Sequence, residues 1–140
     1  MDAAGTRARL DRIQDVTRLI RDAPFPVVAA VHGYALGAGC EFALSCDLVV
    51  AAEGTRFGFP EVGVGLSVTG GVSRLLTGAV GPIKAKELIL LGEHFDAQEA
   101  RRLGLVTRVS ARLRGPQGPA GPRPAGGPRG ARRRPHHLRP

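Results

Sequence analysis

The sequence predicts an α/β fold that is built from repeated units of strand, turn and helix. Two short apolar runs, residues 26–31 and 48–52, are of strand length and contain no polar side chain. Such uninterrupted runs are typical of parallel strands that are buried on both faces. A glycine-rich turn and an apolar helix over about residues 38–45 separate the two runs. Strands that alternate with helices indicate the α/β class.

The segment before the first strand predicts an amphipathic helix over residues 7–21. Apolar residues recur there at the three- and four-residue spacing of one helix face, and Pro24 and Pro26 stop the helix. The apolar residues are Leu10, Ile13, Val16, Leu19 and Ile20. After the second strand, residues 55–59 predict a short extended segment that leads to Pro60 and Glu61.

The second half of the chain is predicted to be more helical. A helix over about residues 72–77 follows a Gly-Gly pair, and a second helix begins at Pro82, continues over residues 83–91 and stops at a glycine. A capping-box-like pattern begins a third helix over residues 96–103. Residues 105–109 predict one more strand.

The charge divides the chain into two parts. Residues 1–110 carry 12 basic and 12 acidic residues, so the net charge of +8 lies entirely in residues 111–140, which hold eight arginines and no acid. Seven prolines and six glycines accompany those arginines. Such a composition cannot form an apolar core, so we predict a domain over residues 1–110 and a disordered tail over residues 111–140.

Composition also bounds the class of protein. Cys40 and Cys46 lie six residues apart, which fits neither Cys-x-x-Cys metal spacing nor a disulfide within one helix, so we expect two reduced thiols and no metal. No segment has the length and hydropathy of a membrane span, and no signal peptide is evident. We therefore expect a cytoplasmic protein. The basic tail has no aromatic residue for base stacking, so nucleic acid is an unlikely partner.

Two glutamates are the candidate catalytic residues. Glu41 and Glu61 each lie among small and apolar residues, where burial can raise the pKa of a carboxyl group and produce an acid or base that works near neutral pH. Glu41 also follows a glycine-rich turn at a helix start, where free backbone N–H groups can stabilise an oxyanion. Two structural interpretations compete: Glu41 as a first-turn glutamate that favours the helix dipole, and Glu61 as a solvated loop carboxylate.

The glycine-rich turn has a second possible interpretation. A strand, a Gly37-x-Gly39 turn, a helix and another strand are superficially similar to a dinucleotide-binding unit. The third glycine of that fingerprint would fall at Phe42, and a Gly-x-Gly alone is weak evidence. The pattern therefore does not favour a nicotinamide or flavin cofactor.

Several motifs in register resemble the enoyl-CoA hydratase/isomerase (crotonase) superfamily. Residues 26–48 read PVVAAVHGYALGAGCEFALSCDL, residues 57–65 read FGFPEVGVG, and residues 96–106 read DAQEARRLGLV. Between the last two stand the Gly70-Gly71 pair and Arg74-Leu75. The similarity covers roughly residues 10–110.

The resemblance implies a fold, a site and a reaction. The fold would be part of a ClpP/crotonase-like α/β fold, and the substrate an acyl-CoA thioester. Glu41 and Glu61 would be the catalytic pair of a 2-trans-enoyl-CoA hydratase, the backbone N–H of Ala38 one oxyanion-hole donor, and Gly37 and Gly39 substrate contacts. CoA would be part of the substrate, with no separate cofactor, and family members are expected to form homo-trimers or hexamers.

The resemblance also implies that this chain is a truncated form of the family. The family's other oxyanion donor precedes the helix predicted over residues 7–21, so this chain would lack it, and residues 111–140 would stand in place of the family's C-terminal helices. We therefore weigh three functions: a hydratase, an isomerase of the same family in which one glutamate dominates, and an inactive fragment that acts as an assembly partner.

Overall fold

The computed structural model describes residues 2–111 and residue 113. Apart from Ala111 and Leu113, the predicted disordered tail lies outside these residues, and the predicted domain boundary stays a prediction. The helices are α1 (Ala3–Asp22), α2 (Ala38–Ser45), α3 (Val72–Val80), α4 (Pro82–Leu91) and α5 (Ala97–Arg102), with a 3-10 helix at Pro60–Val64. The strands are β1 (Val28–Val31), β2 (Tyr34–Leu36), β3 (Leu48–Ala52), β4 (Arg56–Gly58), β5 (Phe95–Asp96) and β6 (Arg108–Ser110).

The strands form two three-stranded sheets, and the chain passes back and forth between them. The first sheet has the order β1-β3-β6 and is parallel throughout, while the second has the order β2-β4-β5, in which β2 and β4 are parallel and β4 and β5 antiparallel. The first two units, β1-β2 and β3-β4, each place one strand in the first sheet and one in the second before a helix, while β5 of the second sheet directly precedes α5. The predicted α/β class with repeated strand-turn-helix units is confirmed; β4 falls on the predicted extended segment, and β2 and β5 are additional short strands.

The first strand is less buried than its apolar sequence predicts. Two-sided burial was expected over residues 26–31, but β1 alternates between exposed and half-buried residues, and Val28 is 53% exposed. Within the described residues β1 lies at a sheet edge and pairs only with β3. The central strand β3 buries Val49 and Ala51 on one face, while Leu48 is 45% exposed, so two-sided burial is wrong for β3 as well.

Strand β2 is absent from the sequence prediction. It holds only three residues, of which Tyr34 is exposed and Ala35 is buried. Its stability comes from its partner: Tyr34 lies opposite Arg56 and Leu36 opposite Gly58 in a parallel register with β4. Three residues are too few to show a strand period, so only the tertiary pairing reveals this element.

The end of the domain shows one confirmed cap and one displaced strand. The Asp96 carboxylate accepts a hydrogen bond of 2.8 Å from the Glu99 N–H and begins α5, as the capping pattern predicts. The strand predicted over residues 105–109 is wrong in position, because β6 begins at Arg108. The N–H groups of Leu105 and Val106 instead bond to the carbonyl group of Ala100 at the end of α5, at 2.9 and 3.2 Å.

Helix α1 is longer than predicted at its N-terminus. The Asp2 side chain caps it by accepting a hydrogen bond of 2.8 Å from the Gly5 N–H, so the helix begins at Ala3 rather than at residue 7. Its one buried residue is Thr17. Among the described residues no helix, α1 included, has the length and hydrophobicity that crossing a membrane requires.

A single apolar core joins the sheets to α2, α3, α4 and α5. Its members are Ala35, Cys40, Val49, Ala51, Phe57, Phe59, Val72, Leu76, Ala85, Leu88, Phe95, Ala97, Ala100, Leu105 and Val106. Phe57 and Phe95 stack across β4 and β5, with ring centroids 6.0 Å apart. The core therefore lies directly beneath the carboxyl end of β4, which carries the segment with Glu61.

The core position of Leu76 leads to a stability prediction. Leu76 of α3 is 0% exposed, whereas Leu90 of α4 is 62% exposed, so the same Leu→Ala change can be compared in two helices. We expect Leu76→Ala to lower the free energy of unfolding by about 2–5 kcal/mol, because it removes buried methyl groups and leaves a cavity. Leu90→Ala should stay within about 0.5 kcal/mol of the wild type. Urea denaturation measures both, and equal losses would contradict the assignment of the core.

Candidate active site

The two candidate glutamates follow neighbouring parallel strands. Leu36 at the end of β2 lies opposite Gly58 at the end of β4. Helix α2, which carries Glu41, begins directly after β2, and the 3-10 helix with Glu61 begins directly after β4. Because parallel strands end at the same edge of a sheet, the fold brings both glutamates to one edge, where α/β proteins commonly bind ligands.

Glu41 is buried, and both of its carboxylate oxygens have hydrogen-bond donors. Its side chain lies in the first turn of α2, and the residue is 1% exposed. The Thr69 N–H donates to Glu41 Oε1 at 2.7 Å, and the Thr69 hydroxyl lies 2.8 Å from Oε2 and 3.1 Å from Oε1. These hydrogen bonds offset the cost of removing a carboxylate from water and fix its orientation.

The backbone beside Glu41 requires glycine. Gly70 has a φ of +61°, and a Cβ at this position would lie 2.7 Å from Glu41 Oε2 and 3.1 Å from the hydroxyl oxygen of Thr17. Any side chain would be strained by the left-handed conformation and would collide with the carboxylate. The first glycine of the Gly-Gly pair therefore leaves room for Glu41.

Glu61 has different surroundings. The residue is partly exposed, but its Oε2 atom is buried and has no hydrogen-bond partner in the described part of the chain. Desolvation raises the pKa of Glu61, its own backbone hydrogen bond opposes the change, and the charge of Glu41 raises the pKa further. Glu61 therefore keeps its proton to a higher pH than an ordinary glutamate, as a general acid requires.

A close approach of backbone and side chain joins the two halves of the site. Gly37 has a φ of +55°, and a Cβ there would lie 2.9 Å from Glu61 Oε1. The Gly37 N–H donates to the Gly58 carbonyl group at 3.0 Å, which extends the pairing of β2 and β4 by one residue. Glycine at position 37 thus lets the start of α2 lie against the Glu61 carboxylate.

The N-terminus of α2 offers backbone donors. Its cap residue is Gly37, so no side chain of the cap bonds to the first N–H groups of the helix. Those N–H groups also have no partner within the helix. Ala38 is half-buried, while Gly39 is exposed, with open space where a Cβ would point. The predicted oxyanion donor Ala38 therefore lies at a helix start beside both glutamates, and its role, like those of Gly37 and Gly39, stays a prediction.

Cys40 belongs to the apolar core, directly precedes Glu41 in the sequence and has an uncharged side chain. It is a free thiol with 0% exposure, and burial raises its pKa to about 12. A hydrogen bond with the Gly58 backbone acts in the opposite direction and lowers the pKa. The charges of Glu61 and Glu41 raise this pKa as well. Cys46, also free, is half-buried. The thiol of Cys40 stays protonated and adds no third charge.

Thr69 is the contact residue that the sequence analysis did not identify. It lies in the segment between the 3-10 helix and α3, directly before Gly70. The available signal was a threonine next to a Gly-Gly pair within the family-like motif. The structure thus brings Glu41, Glu61 and Ala38 to one sheet edge, as predicted, and adds Thr69 as the hydrogen-bond partner of Glu41.

Comparison with known proteins identifies the family of this site. The chain matches the sequence profile of the family described as enoyl-CoA hydratase/isomerase over residues 5–114. It is 54% identical over 84 residues to a probable enoyl-CoA hydratase of Mycobacterium leprae, which covers 60% of this chain and 33% of the relative. It is 47% identical over 96 residues to a crotonyl-CoA hydratase of Syntrophomonas wolfei, which covers 69% of this chain and 37% of the relative.

Solved structures agree with the sequence comparison. The crystal structure of an enoyl-CoA hydratase from Bacillus anthracis superposes with a TM-score of 0.76 and 35% identity, over 79% of this chain and 43% of that structure. The aligned part spans about a third of the length of the curated relatives. The family profile matches residues 5–114, and the agreement in sequence and fold with the relatives supports it, so this chain belongs to the enoyl-CoA hydratase/isomerase family.

Proposed function

We propose that this site adds water across the double bond of a 2-trans-enoyl-CoA thioester. The observation that carries the proposal is the unequal pair of carboxylates at one sheet edge. Glu41 has two hydrogen-bond donors from Thr69, whereas Glu61 has a buried oxygen without a partner and a raised pKa. One carboxylate suited to accept a proton and one suited to donate a proton are what the addition of water requires.

The proposed reaction assigns one proton transfer to each glutamate. A water oxygen bonds to Cβ of the substrate while Glu41 accepts a proton from that water, and the electrons of the double bond move to the thioester oxygen. Glu61 then donates its proton to Cα, and the carbonyl group re-forms. The product has gained one hydrogen and one hydroxyl group, and a second proton exchange with solvent resets the two carboxyl groups.

The negative charge on the thioester oxygen needs a donor that is already in place. We assign this role to the backbone N–H of Ala38, because the start of α2 has no side-chain cap and the positive end of the helix dipole points there. Gly37 and Gly39 let the substrate approach that backbone closely. Proton transfers and a backbone donor suffice for this chemistry, so the proposal includes no cofactor besides the CoA of the substrate.

The pair of carboxylates favours hydration over isomerisation. A shift of the double bond moves one proton between two carbons of the same substrate, which a single carboxylate can carry out. Here the fold brings two carboxyl groups to one sheet edge, and the charge of Glu41 raises the pKa of Glu61. Two relatives named above carry hydratase names, including the crotonyl-CoA hydratase.

The proposal includes an assembly and a location. The edge strand β1 and its surroundings expose large apolar side chains, with Phe25 at 61% and Val28 at 53% exposure. Contact with another copy of the chain would cover such side chains, so we propose a homo-trimer or hexamer. Sedimentation analysis at micromolar concentration tests the assembly, and a monomer would contradict it.

Because CoA thioesters are intracellular metabolites, we also propose a cytoplasmic location.

The roles of the two glutamates predict the effect of neutral substitutions. We expect Glu41→Gln and Glu61→Gln each to lower the hydration rate of crotonyl-CoA by at least about 100-fold, because each removes one proton transfer. The measurement is the loss of the conjugated enoyl absorbance. Glu53→Gln, which removes an exposed carboxylate, is the matched control and should retain the activity.

The same assay separates the alternative functions. A large loss in only one of the two glutamine variants, together with double-bond migration, would favour the isomerase. No turnover and no binding of a CoA ester by the unchanged chain would favour the inactive assembly partner.

The raised pKa of Glu61 predicts how stability depends on pH. A carboxyl group whose pKa is higher in the folded state favours folding below its unfolded pKa, near the ordinary value of 4.5, and loses this contribution as pH rises through the folded pKa. Glutamine does not titrate, so its substitution for Glu61 removes this loss of stability with rising pH. We therefore expect Glu61→Gln to gain stability relative to the wild type as pH rises above about 4.5. Urea denaturation between pH 4 and pH 8 measures this, and an equal gain in Glu53→Gln would contradict the assignment.

A further inference from the structure

Thr69 lies in a turn that is fixed from both sides. Its carbonyl group accepts a hydrogen bond of 3.0 Å from the Val72 N–H at the start of α3. Its own N–H and hydroxyl group point the other way, toward the Glu41 carboxylate. The residue therefore connects the segment before α3 with the first turn of α2, two elements that are distant in sequence.

The two contacts of Thr69 differ in chemistry. A backbone N–H can only donate, so Glu41 Oε1, at 2.7 Å from that N–H, must accept. The hydroxyl group has one proton and lies closer to Oε2 (2.8 Å) than to Oε1 (3.1 Å). Each carboxylate oxygen therefore has its own donor, and both donors belong to one residue.

This arrangement distinguishes the two oxygens when Glu41 takes up a proton. The Thr69 N–H already uses a lone pair of Oε1, so Oε2 is the oxygen at which a proton leaves both contacts with Thr69 in place. The Thr69 hydroxyl can rotate there, because a hydroxyl group donates to an ionised carboxylate and accepts from a protonated one. The same side chain thus remains bonded to Glu41 in both protonation states.

We propose that Thr69 is a positioning residue that holds Oε1 of Glu41 in place through its N–H and serves proton exchange at Oε2 through its hydroxyl group. This inference rests on the proposed hydration, in which Glu41 accepts a proton from water. Glu61 has no corresponding partner at its buried Oε2 within the described residues, so the effect is specific to one glutamate of the pair.

The first experiment compares steady-state kinetics of crotonyl-CoA hydration in Thr69→Val and Thr69→Ser. Valine keeps the branched shape and the backbone N–H but removes the hydroxyl group, so we expect kcat to fall about 10- to 100-fold while KM changes less than about threefold. Serine restores the hydroxyl group and should return kcat to within about threefold of the wild type.

Thr55→Val is the matched control. Thr55 is 0% exposed, and its hydroxyl group donates to the Val31 carbonyl group at 3.3 Å, away from both glutamates. It tests the effect of losing any buried threonine hydroxyl group, and we expect its kcat and KM to match the wild type. An unchanged Thr69→Val enzyme, an equal effect of Thr55→Val, or failure of Thr69→Ser to restore kcat would each overturn the inference.

A second measurement is independent of activity. An amide proton that is bonded to a charged carboxylate resonates downfield, so the Thr69 amide proton should move upfield in Glu41→Gln, where the acceptor is neutral. An upfield shift in a protein that hydrates no enoyl-CoA would support the contact and reject the proposed function. An amide resonance that does not respond to Glu41→Gln would overturn the inference whatever the activity.

Discussion

The parallel pairing of β2 with β4 is the constraint on which the site depends. The register sets Leu36 opposite Gly58, and the next residue, Gly37, donates its N–H to the Gly58 carbonyl group at 3.0 Å. These bonds end both strands at one level, so α2 and the 3-10 helix begin side by side. A slip of one residue would turn every side chain of β2 to the other face and shift the start of α2 relative to the end of β4. The positions of both carboxylates thus follow from a few backbone hydrogen bonds.

Local sequence determined the longer elements, and tertiary pairing determined the short ones. Helix α2 and strand β3 begin and end as predicted, and the Asp96 cap is confirmed, because each depends on neighbours in sequence. Strand β2 has three residues and no detectable period, so its pairing with β4 could not be predicted. The exposure of β1 was also missed, since an apolar run does not reveal whether a strand lies at the centre or the edge of a sheet.

In the site, too, the features that depend on neighbours in sequence were predicted, and those that depend on tertiary contacts were not. Small and apolar neighbours in sequence made Glu41 and Glu61 candidates, and the family resemblance paired them. The hydrogen bonds from Thr69 and the close approach of Gly70 join segments that are far apart in sequence. The Gly-Gly pair that follows Thr69 is the one local signal, and it does not reveal the contact, because only the fold brings the two donors of Thr69 to the two oxygens of a carboxylate.

Chemically identical side chains acquire different roles from their surroundings. Donors that point at a carboxylate stabilise its charged form, while burial without a donor stabilises the neutral acid. Glu41 has the first environment and the buried Oε2 of Glu61 the second, and the charge of Glu41 strengthens the difference by raising the pKa of Glu61. Because the Cys40 thiol stays protonated, it does not add a charge that would act on both carboxylates alike. The division between acid and base is therefore built by the turn at Thr69 and the desolvated pocket of Glu61, before any substrate binds.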